Sequence, residues 1–224
     1  MKVLDATGFT QTSDVRSRDW TSFRHLGGAG TSVLYPAGAN GGTAMTAIAW
    51  TSLSGSLYTW PFIAPARGPI IDVVQIDVTT AGVGGTIFAR VGIYTNIISG
   101  SLENGEVLFP GSLLVDSGDV SSSATGVKSL TTGSINLDPG SLYWIAFTAT
   151  QPTTTIHQFR SIPIAAMHPV LGWDNTFGTA ATLGFSQSFA YGPLPVSFAT
   201  GSAAGKFTSV QMASIPCVAL RFAT

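Results

Sequence analysis

The feature that most constrains this chain is a series of short apolar runs, with side chains alternating in character, separated by turn residues. Nine such runs, approximately, follow one another: 43–53, 56–64, 69–80, 85–95, 112–118, 126–137, 136–150, 154–162 and 216–223. No stretch of about 12 residues has a helical apolar period free of Gly and Pro. Strands in succession without helices between them predict an all-β fold, and specifically an antiparallel β-sandwich of jelly-roll type.

Two of these runs show how the apolar side chains should be arranged. In residues 85–95 alternate positions fall on opposite faces of a strand, with Ile87, Ala89, Val91 and Ile93 on one face and Phe88, Arg90, Gly92 and Tyr94 on the other. In residues 69–80 the alternation slips by one position between Val73 and Val74. This slip predicts a β-bulge, or a change in which face of the strand is covered.

Two segments do not follow the strand pattern. Residues 1–42 combine charged and aromatic side chains with a glycine-rich stretch at 25–42. They predict an extended N-terminal arm and flexible linker, and residues 43–224 predict one β domain. Residues 163–215 are rich in aromatic side chains and too long for a structureless loop. This segment should contain short strands that the pattern does not delimit, or pack against a partner.

The low charge of the chain bears on its partners. Charged residues are 9% of the 224 residues and the net charge is −1. A surface with so little charge is poorly protected against association, which favours contact with copies of itself or with neighbouring proteins, although a monomer with a Ser/Thr-rich surface is the alternative. A net charge of −1 lacks the excess of basic side chains that binding to nucleic acid requires. No apolar run reaches the length of a membrane span, and no signal-peptide pattern occurs at the N-terminus, so we expect synthesis in a cytoplasm and no membrane insertion.

Residues for catalysis or metal binding are sparse. The chain has three histidines, His25, His157 and His168, and their separation gives no metal-ligand spacing. A Ser/His/Asp triad could assemble only through the fold. Asp116 and Asp119 could bind calcium with help from Asp138 or backbone carbonyls, but turn capping is the expected role. The single cysteine, Cys217, lies in an apolar run and is expected to be a small buried residue. No cofactor is expected.

Paired carboxylates for a glycosidase are also not expected. Asp72 and Asp77 differ by an odd number of positions, so strict alternation places them on opposite faces of their strand. Glu103 and Glu106 lie in a stretch that is typical of an exposed loop. The sequence therefore favours a protein that is not an enzyme.

Aromatic side chains are the remaining resource for binding. The stretch "GWDNTF" places Trp173 beside Asp174 and Asn175 in a predicted loop. An aromatic face with neighbouring hydrogen-bonding groups suits a sugar ring, so these three residues are a candidate glycan site, and a subunit interface is the alternative. Trp144 lies inside a strongly apolar strand and is expected in the core.

Several patterns occur in a fixed order along residues 44–224. They are "RVGIYT" at 90–95, "LLVDSGDV" at 113–120, "LDPGSLYWIA" at 137–146, "AYGPLPVSF" at 190–198 and "IPCVALRF" at 215–222. Together they resemble a module of tailed-bacteriophage virion proteins, found in tail fibres, head fibres and decoration proteins. The resemblance implies a jelly-roll domain on the particle surface, usually trimeric and often in contact with host glycans, and it implies no catalytic residues.

The function expected from the sequence is therefore that of a virion structural protein, a tail-fibre or receptor-binding component that forms a homotrimer. Its arm lies outside the region of resemblance and would dock to other virion proteins through Arg16, Arg18, Trp20, Phe23 and Arg24. A capsid or tail decoration protein that stabilises the particle is the first alternative. A depolymerase of surface polysaccharide is the second, and the scarcity of acidic residues disfavours it.

Overall fold

The regular elements are all β-strands in the computed structural model, which describes residues 3–4, 10–11, 33–36, 46–49, 55–64, 70–99, 107–163, 182–198, 205–208 and 214–223. The strands are β1 (Val3–Leu4), β2 (Thr10–Gln11), β3 (Val33–Pro36), β4 (Thr46–Ala49), β5 (Ser56–Ile63), β6 (Ile70–Thr80), β7 (Phe88–Ser99), β8 (Val107–Asp116), β9 (Val120–Ser121), β10 (Gly126–Asn136), β11 (Leu142–Ala149), β12 (Gln158–Pro163), β13 (Thr182–Ser188), β14 (Gly205–Thr208), β15 (Ser214–Pro216) and β16 (Val218–Ala223). A search of these residues for a helix able to cross a bilayer finds none.

Two seven-stranded sheets form the body of the molecule. Sheet I contains β3, β4, β6, β10, β12, β15 and β16, and sheet II contains β5, β7, β8, β9, β11, β13 and β14. Every strand pair is antiparallel, including the separate pair of β1 with β2. Side chains of the two sheets pack against each other in one hydrophobic cluster. The predicted all-β antiparallel sandwich is confirmed, and the jelly-roll order of its strands stays a prediction.

The inner core lies between the two sheets. Sheet II contributes fully buried side chains such as Trp60 and Phe147, and sheet I contributes Ile76 and Phe159. The rings of Phe147 and Phe159 meet edge to face across the core, with centroids 5.2 Å apart. Removing a side chain of this size from water stabilises the fold by about 1.5–3 kcal/mol.

The alternation predicted for β7 is confirmed. Ala89, Val91 and Ile93 belong to the inner core, whereas Tyr94 belongs to a second cluster on the other face of sheet II. The period of two in this strand therefore separates two different apolar environments.

The predicted bulge in β6 is present beside β16. Val73 pairs with Arg221 and Ile71 pairs with Phe222, so that Asp72 is the additional residue on β6. The bulge restores Ile71 to the inner-core face shared by Val74, Ile76 and Val78.

Strand β11 is buried on both faces. Tyr143, Ile145 and Phe147 point into the inner core, while Trp144 and Ala146 point to the opposite face of sheet II. On that face lies the outer cluster, which consists of Leu57, Tyr94, Trp144, Ala146, Phe185, Leu194 and Phe198. Trp144 is fully buried there, as expected, and its indole Nε1 donates a hydrogen bond to Asn96 Oδ1 at 3.0 Å.

The two segments outside the sequence pattern contribute strands where the structure describes them. Within residues 163–215 lie β13, β14 and the first two residues of β15, which confirms that this segment contains short strands. Within residues 1–42, the backbone of β3 pairs with β16 at one edge of sheet I. Most of residues 1–42 falls outside the described residues, and the boundary at 42 and 43 stays a prediction.

Candidate functional site

A polar cluster joins β7, β8 and the segment of residues 189–198, which we name the strap. Arg90 lies at its centre and donates from Nη1 to Asp116 Oδ2 at 2.8 Å and from Nη2 to Asp119 Oδ1 at 2.6 Å. The strap adds two donors: the hydroxyl of Tyr191 reaches Asp119 Oδ1 at 3.0 Å, and the backbone N–H of Leu194 reaches Asp116 Oδ2 at 3.0 Å. Through these two carboxylates, one buried cation connects β7 and the turn between β8 and β9 to a segment about 100 residues away in sequence.

Burial and pairing oppose each other in this cluster. The side chain of Arg90 is only 10% exposed, and burial disfavours its charge, but the hydrogen bonds with Asp119 and Asp116 outweigh that cost and raise its pKa. The hydrogen bond from Arg90 holds the pKa of Asp119 below its usual range. Burial raises the pKa of Tyr191, so the phenol stays protonated and acts as a donor. The charges are therefore arranged for mutual stabilisation rather than for proton transfer near neutral pH.

The strap is also held along the edge of sheet II. The hydroxyl of Tyr94 donates to the carbonyl of Pro195 at 2.8 Å, and the N–H of Leu113 donates to the carbonyl of Val196 at 2.9 Å. Burial raises the pKa of Tyr94, which keeps this donor protonated. Leu194 and Phe198 of the strap pack into the outer cluster, on the face of sheet II opposite the inner core. The strap accordingly covers an apolar face that the strands alone would leave exposed.

Gly92 allows the strap to approach β7 closely. A Cβ at this position would overlap Cδ1 of Leu194 and lie 3.0 Å from the carbonyl oxygen of Val115. Any larger residue at this position would force the side chain of Leu194 and the carbonyl of Val115 to move. The spacing Arg90-x-Gly92-x-Tyr94 therefore places an ion-pair donor, a gap and a hydrogen-bond donor on one face of β7, directly beneath the strap.

Three of the patterns singled out in the sequence meet at the strap. "RVGIYT" supplies Arg90, Gly92 and Tyr94, "LLVDSGDV" supplies the two carboxylates, and "AYGPLPVSF" is the strap itself. The turn in "LDPGSLYW" is held separately, because the N–H of Asp138 donates to the hydroxyl of Tyr143 at 2.8 Å. Each of these four patterns has an identifiable role in holding the fold.

The predicted turn-capping role of Asp116 is confirmed. Its Oδ1 accepts a hydrogen bond from the N–H of Gly118 at 2.9 Å, and Gly118 has a positive φ of 68°. Within the described ranges no group of three or more His, Cys, Asp or Glu side chains could hold a metal ion. Asp116 and Asp119, the candidate calcium ligands, are instead both ion-paired with Arg90.

The pair Asp72 and Asp77 requires a correction. The bulge at Asp72 changes the parity of β6, so both carboxylates lie on the outer face of sheet I, contrary to the expectation from strict alternation. Each has its own arginine, Arg221 for Asp72 at 2.7 Å and Arg160 for Asp77 at 2.6 Å. The hydrogen bond from Arg221 lowers the pKa of Asp72, the opposite of what a catalytic acid requires.

His157 pairs with a serine but not with a carboxylate. Its Nδ1 lies 2.7 Å from Ser122 Oγ, and both residues are fully buried. Its Nε2 has no hydrogen-bond partner in the described structure, so the third member of a triad is missing there. The two other histidines lie outside the described residues.

The binding residues predicted from the sequence lie outside the described residues. These are the docking set Arg16, Arg18, Trp20, Phe23 and Arg24, and the glycan set Trp173, Asp174 and Asn175. Glu103 and Glu106 also lie outside them. Comparisons with models of protein families, with curated proteins and with solved structures found no match to this chain. Function is therefore inferred from the chain's own residues.

Proposed function

We propose that this chain is a structural protein of a tailed-phage virion, a tail-fibre or receptor-binding component without enzymatic activity. The observation that carries the proposal is the convergence of three of the phage-like patterns on the strap and its polar cluster. Residues that resemble a phage module serve here to fix a segment over a β-sheet. This use suits a protein whose task is to hold a shape on a particle surface.

Self-association is the second part of the proposal, with a homotrimer as the assembly. Of the charged side chains that the structure describes, only Lys128 and Asp138 stand outside ion pairs. Exposed apolar side chains occur along the β7–β8 edge and the adjoining strap, where Ile98 is 59% and Val196 is 81% exposed. An uncharged edge with exposed apolar groups associates readily unless it is covered.

Sedimentation of the full chain tests this part. The wild-type chain should sediment as a trimer, and Val196→Glu should shift it toward monomer, because the substitution places a charge in the proposed contact. Val127→Glu is the matched control, since Val127 is an exposed valine, at 61%, on β10 of the other sheet. A monomeric wild-type chain, or an equal effect of both variants, contradicts the proposed contact.

Docking by the N-terminal arm is the third part. The arm carries Arg and aromatic side chains, which are enriched in interface hot spots. We expect deletion of residues 1–32, a cut that retains β3, to leave a folded domain that no longer joins the particle. The double variant Trp20→Ala, Phe23→Ala should reproduce the loss of assembly without the deletion. Normal incorporation of both variants into particles would place the docking contact elsewhere on the chain.

Binding to a host-surface glycan is the fourth part, through Trp173, Asp174 and Asn175. The test is binding of the full chain to host envelope fractions and to a glycan array, with Trp173→Ala expected to abolish the signal. Absence of binding to every fraction would remove the receptor role and leave particle stabilisation. Release of reducing ends from host polysaccharide would contradict the non-enzymatic part.

A further inference from the structure

One end of the sandwich is closed by three loops that share backbone hydrogen bonds. The N–H of Gly82 donates to the carbonyl of Ser122 at 2.9 Å, and the N–H of Ser122 donates to the carbonyl of Ile87 at 3.1 Å. The N–H of Val83 donates to the carbonyl of Thr155 at 2.9 Å. Residues 81–87, 122–125 and 150–157 are thereby joined into one closed end.

His157 and Ser122 connect two of these loops in the interior. Both are fully buried, and Ser122 Oγ lies 2.7 Å from Nδ1 of the imidazole. The other face of the pair is apolar, since the ring centroid of Phe159 lies 4.8 Å from that of His157. Nε2 is buried without a hydrogen-bond partner among the described residues. The packing is tight, because a Cβ on Gly82 would lie 3.3 Å from Cβ of His157 and closer still to Ile87 and Pro152.

No charged group in these loops could compensate a proton on the imidazole. Residues 81–87, 122–125 and 150–156 contain no titratable side chain. The nearest charged residues along the adjoining strands are Asp119, Arg160 and Lys128. Asp119 and Arg160 are ion-paired with Arg90 and Asp77. Lys128 places its ammonium 3.5 Å from the carbonyl of Thr125, and a second positive charge there cannot compensate a proton on the imidazole. A protonated His157 would therefore be a buried cation without a negative charge beside it, with only the hydroxyl of Ser122 and the carbonyl of Thr150 as polar neighbours among the described residues, which is unfavourable.

We propose that the Ser122–His157 pair is an acid-sensitive latch, in which the neutral imidazole holds the loops together and its protonation opens this end of the sandwich. The latch goes beyond the proposed virion function and does not depend on it.

The direction of the pH effect follows from burial. Burial lowers the pKa of His157 from 6.5 to about 4. The backbone of Thr150 raises this pKa slightly, although the neutral ring makes no hydrogen bond from Nε2 within the described part of the chain. An opened loop exposes the imidazole, whose pKa then returns to its usual value, so the open state binds the proton more tightly. Stability of the closed end is fully present above pH 6.5 and is lost as the pH falls toward 4. The open fraction should be about 30-fold larger at pH 5 than at pH 7.5.

Hydrogen exchange of the full chain locates the opening. Amides of Gly82, Val83 and Ser122 should lose protection at pH 5, after correction for intrinsic exchange rates, while the amide of Ile145 in β11 keeps its protection. The variant His157→Gln should remove this pH dependence, and His25→Gln, which removes a different histidine, should leave it unchanged. Equal loss of protection at Ile145, or full pH dependence in His157→Gln, would overturn the latch.

A second measurement applies even if His157→Gln does not fold. The double variant His25→Gln, His168→Gln leaves His157 as the only histidine of the three. Its ring signal in the NMR spectrum should titrate near pH 4 together with loop opening. A ring that titrates near 6.5 while the loops stay protected would show that the imidazole is charged without effect on the closed end.

Discussion

Replacing Arg90 with methionine tests whether the polar cluster beneath the strap stabilises the fold. Methionine retains an unbranched apolar side chain of similar length and removes the charge. Two carboxylates then lose their cation: Asp116, whose side chain is 23% exposed, and Asp119, at 47%. Breaking a buried pair by removing one partner costs about 3–5 kcal/mol.

The expected loss lies at the lower end of that range. Asp116 retains two backbone donors, the N–H groups of Gly118 and Leu194, which still stabilise its charge. Asp119 is half exposed and contributes little, since water solvates it. We therefore expect Arg90→Met to lower the free energy of unfolding by about 3 kcal/mol at pH 7.

Urea denaturation at a fixed protein concentration measures the change. Arg221→Met is the matched control, because Arg221 also donates two hydrogen bonds to carboxylate oxygens, here both of Asp72, but at the solvent-exposed face of sheet I. Its loss should be far smaller than that of Arg90. The small part of the loss that comes from Asp119 should also shrink in acid, because the stability from a carboxylate of lowered pKa is lost as the pH falls through that pKa. Equal losses in the two variants at pH 7 would refute the stabilising role of the polar cluster.

Two further predictions follow from the same contacts. Gly92→Ala should destabilise the fold by about 1–3 kcal/mol, because the added Cβ overlaps Leu194. Gly192→Ala in the strap should have little effect, since its Cβ would meet only the carbonyl of Ala190 at 3.8 Å. Similar urea midpoints for the two variants would contradict this prediction. Burial raises the pKa of Cys217 to about 11, so a thiol reagent at pH 8 should label it slowly in the folded protein and completely after unfolding, and fast labelling of the folded chain would show that the thiol is accessible.

The strand pattern predicted the elements well where side chains alternate between two distinct environments. The parity of β7 and the bulge in β6 both follow from the spacing of apolar residues. The position of Asp72 did not follow, because a bulge changes the parity on one side of it, and strict counting across the slip gave the wrong face. When a sequence shows such a slip, the face of the strand assigned to each polar residue beyond the slip should therefore be reversed.

The outer cluster was not predicted, although the sequence held a signal for it. The run "LYWIAFTA" in β11 is apolar at nearly every position, a pattern typical of strands buried on both faces. What covers the second face could not be inferred, since the cover is the strap, which pairs with β8 only at an isolated bridge between Ser112 and Ser197. Its attachment depends on Arg90 and Tyr94, which are far away in the sequence.

The separation between the strap and its binding face has a consequence for how the chain folds. Tyr94 and Pro195 are 101 residues apart, so their hydrogen bond closes a long loop, and contacts of this kind form slowly. Synthesis proceeds from the N-terminus, so β5, β7 and β11 leave the ribosome before the strap exists. During that interval Leu57, Trp144 and Ala146 lack Leu194 and Phe198 as a cover. A newly made molecule therefore exposes this apolar face to other molecules until the last fifth of the chain has been synthesised. Slow translation of that last fifth would lengthen the exposure.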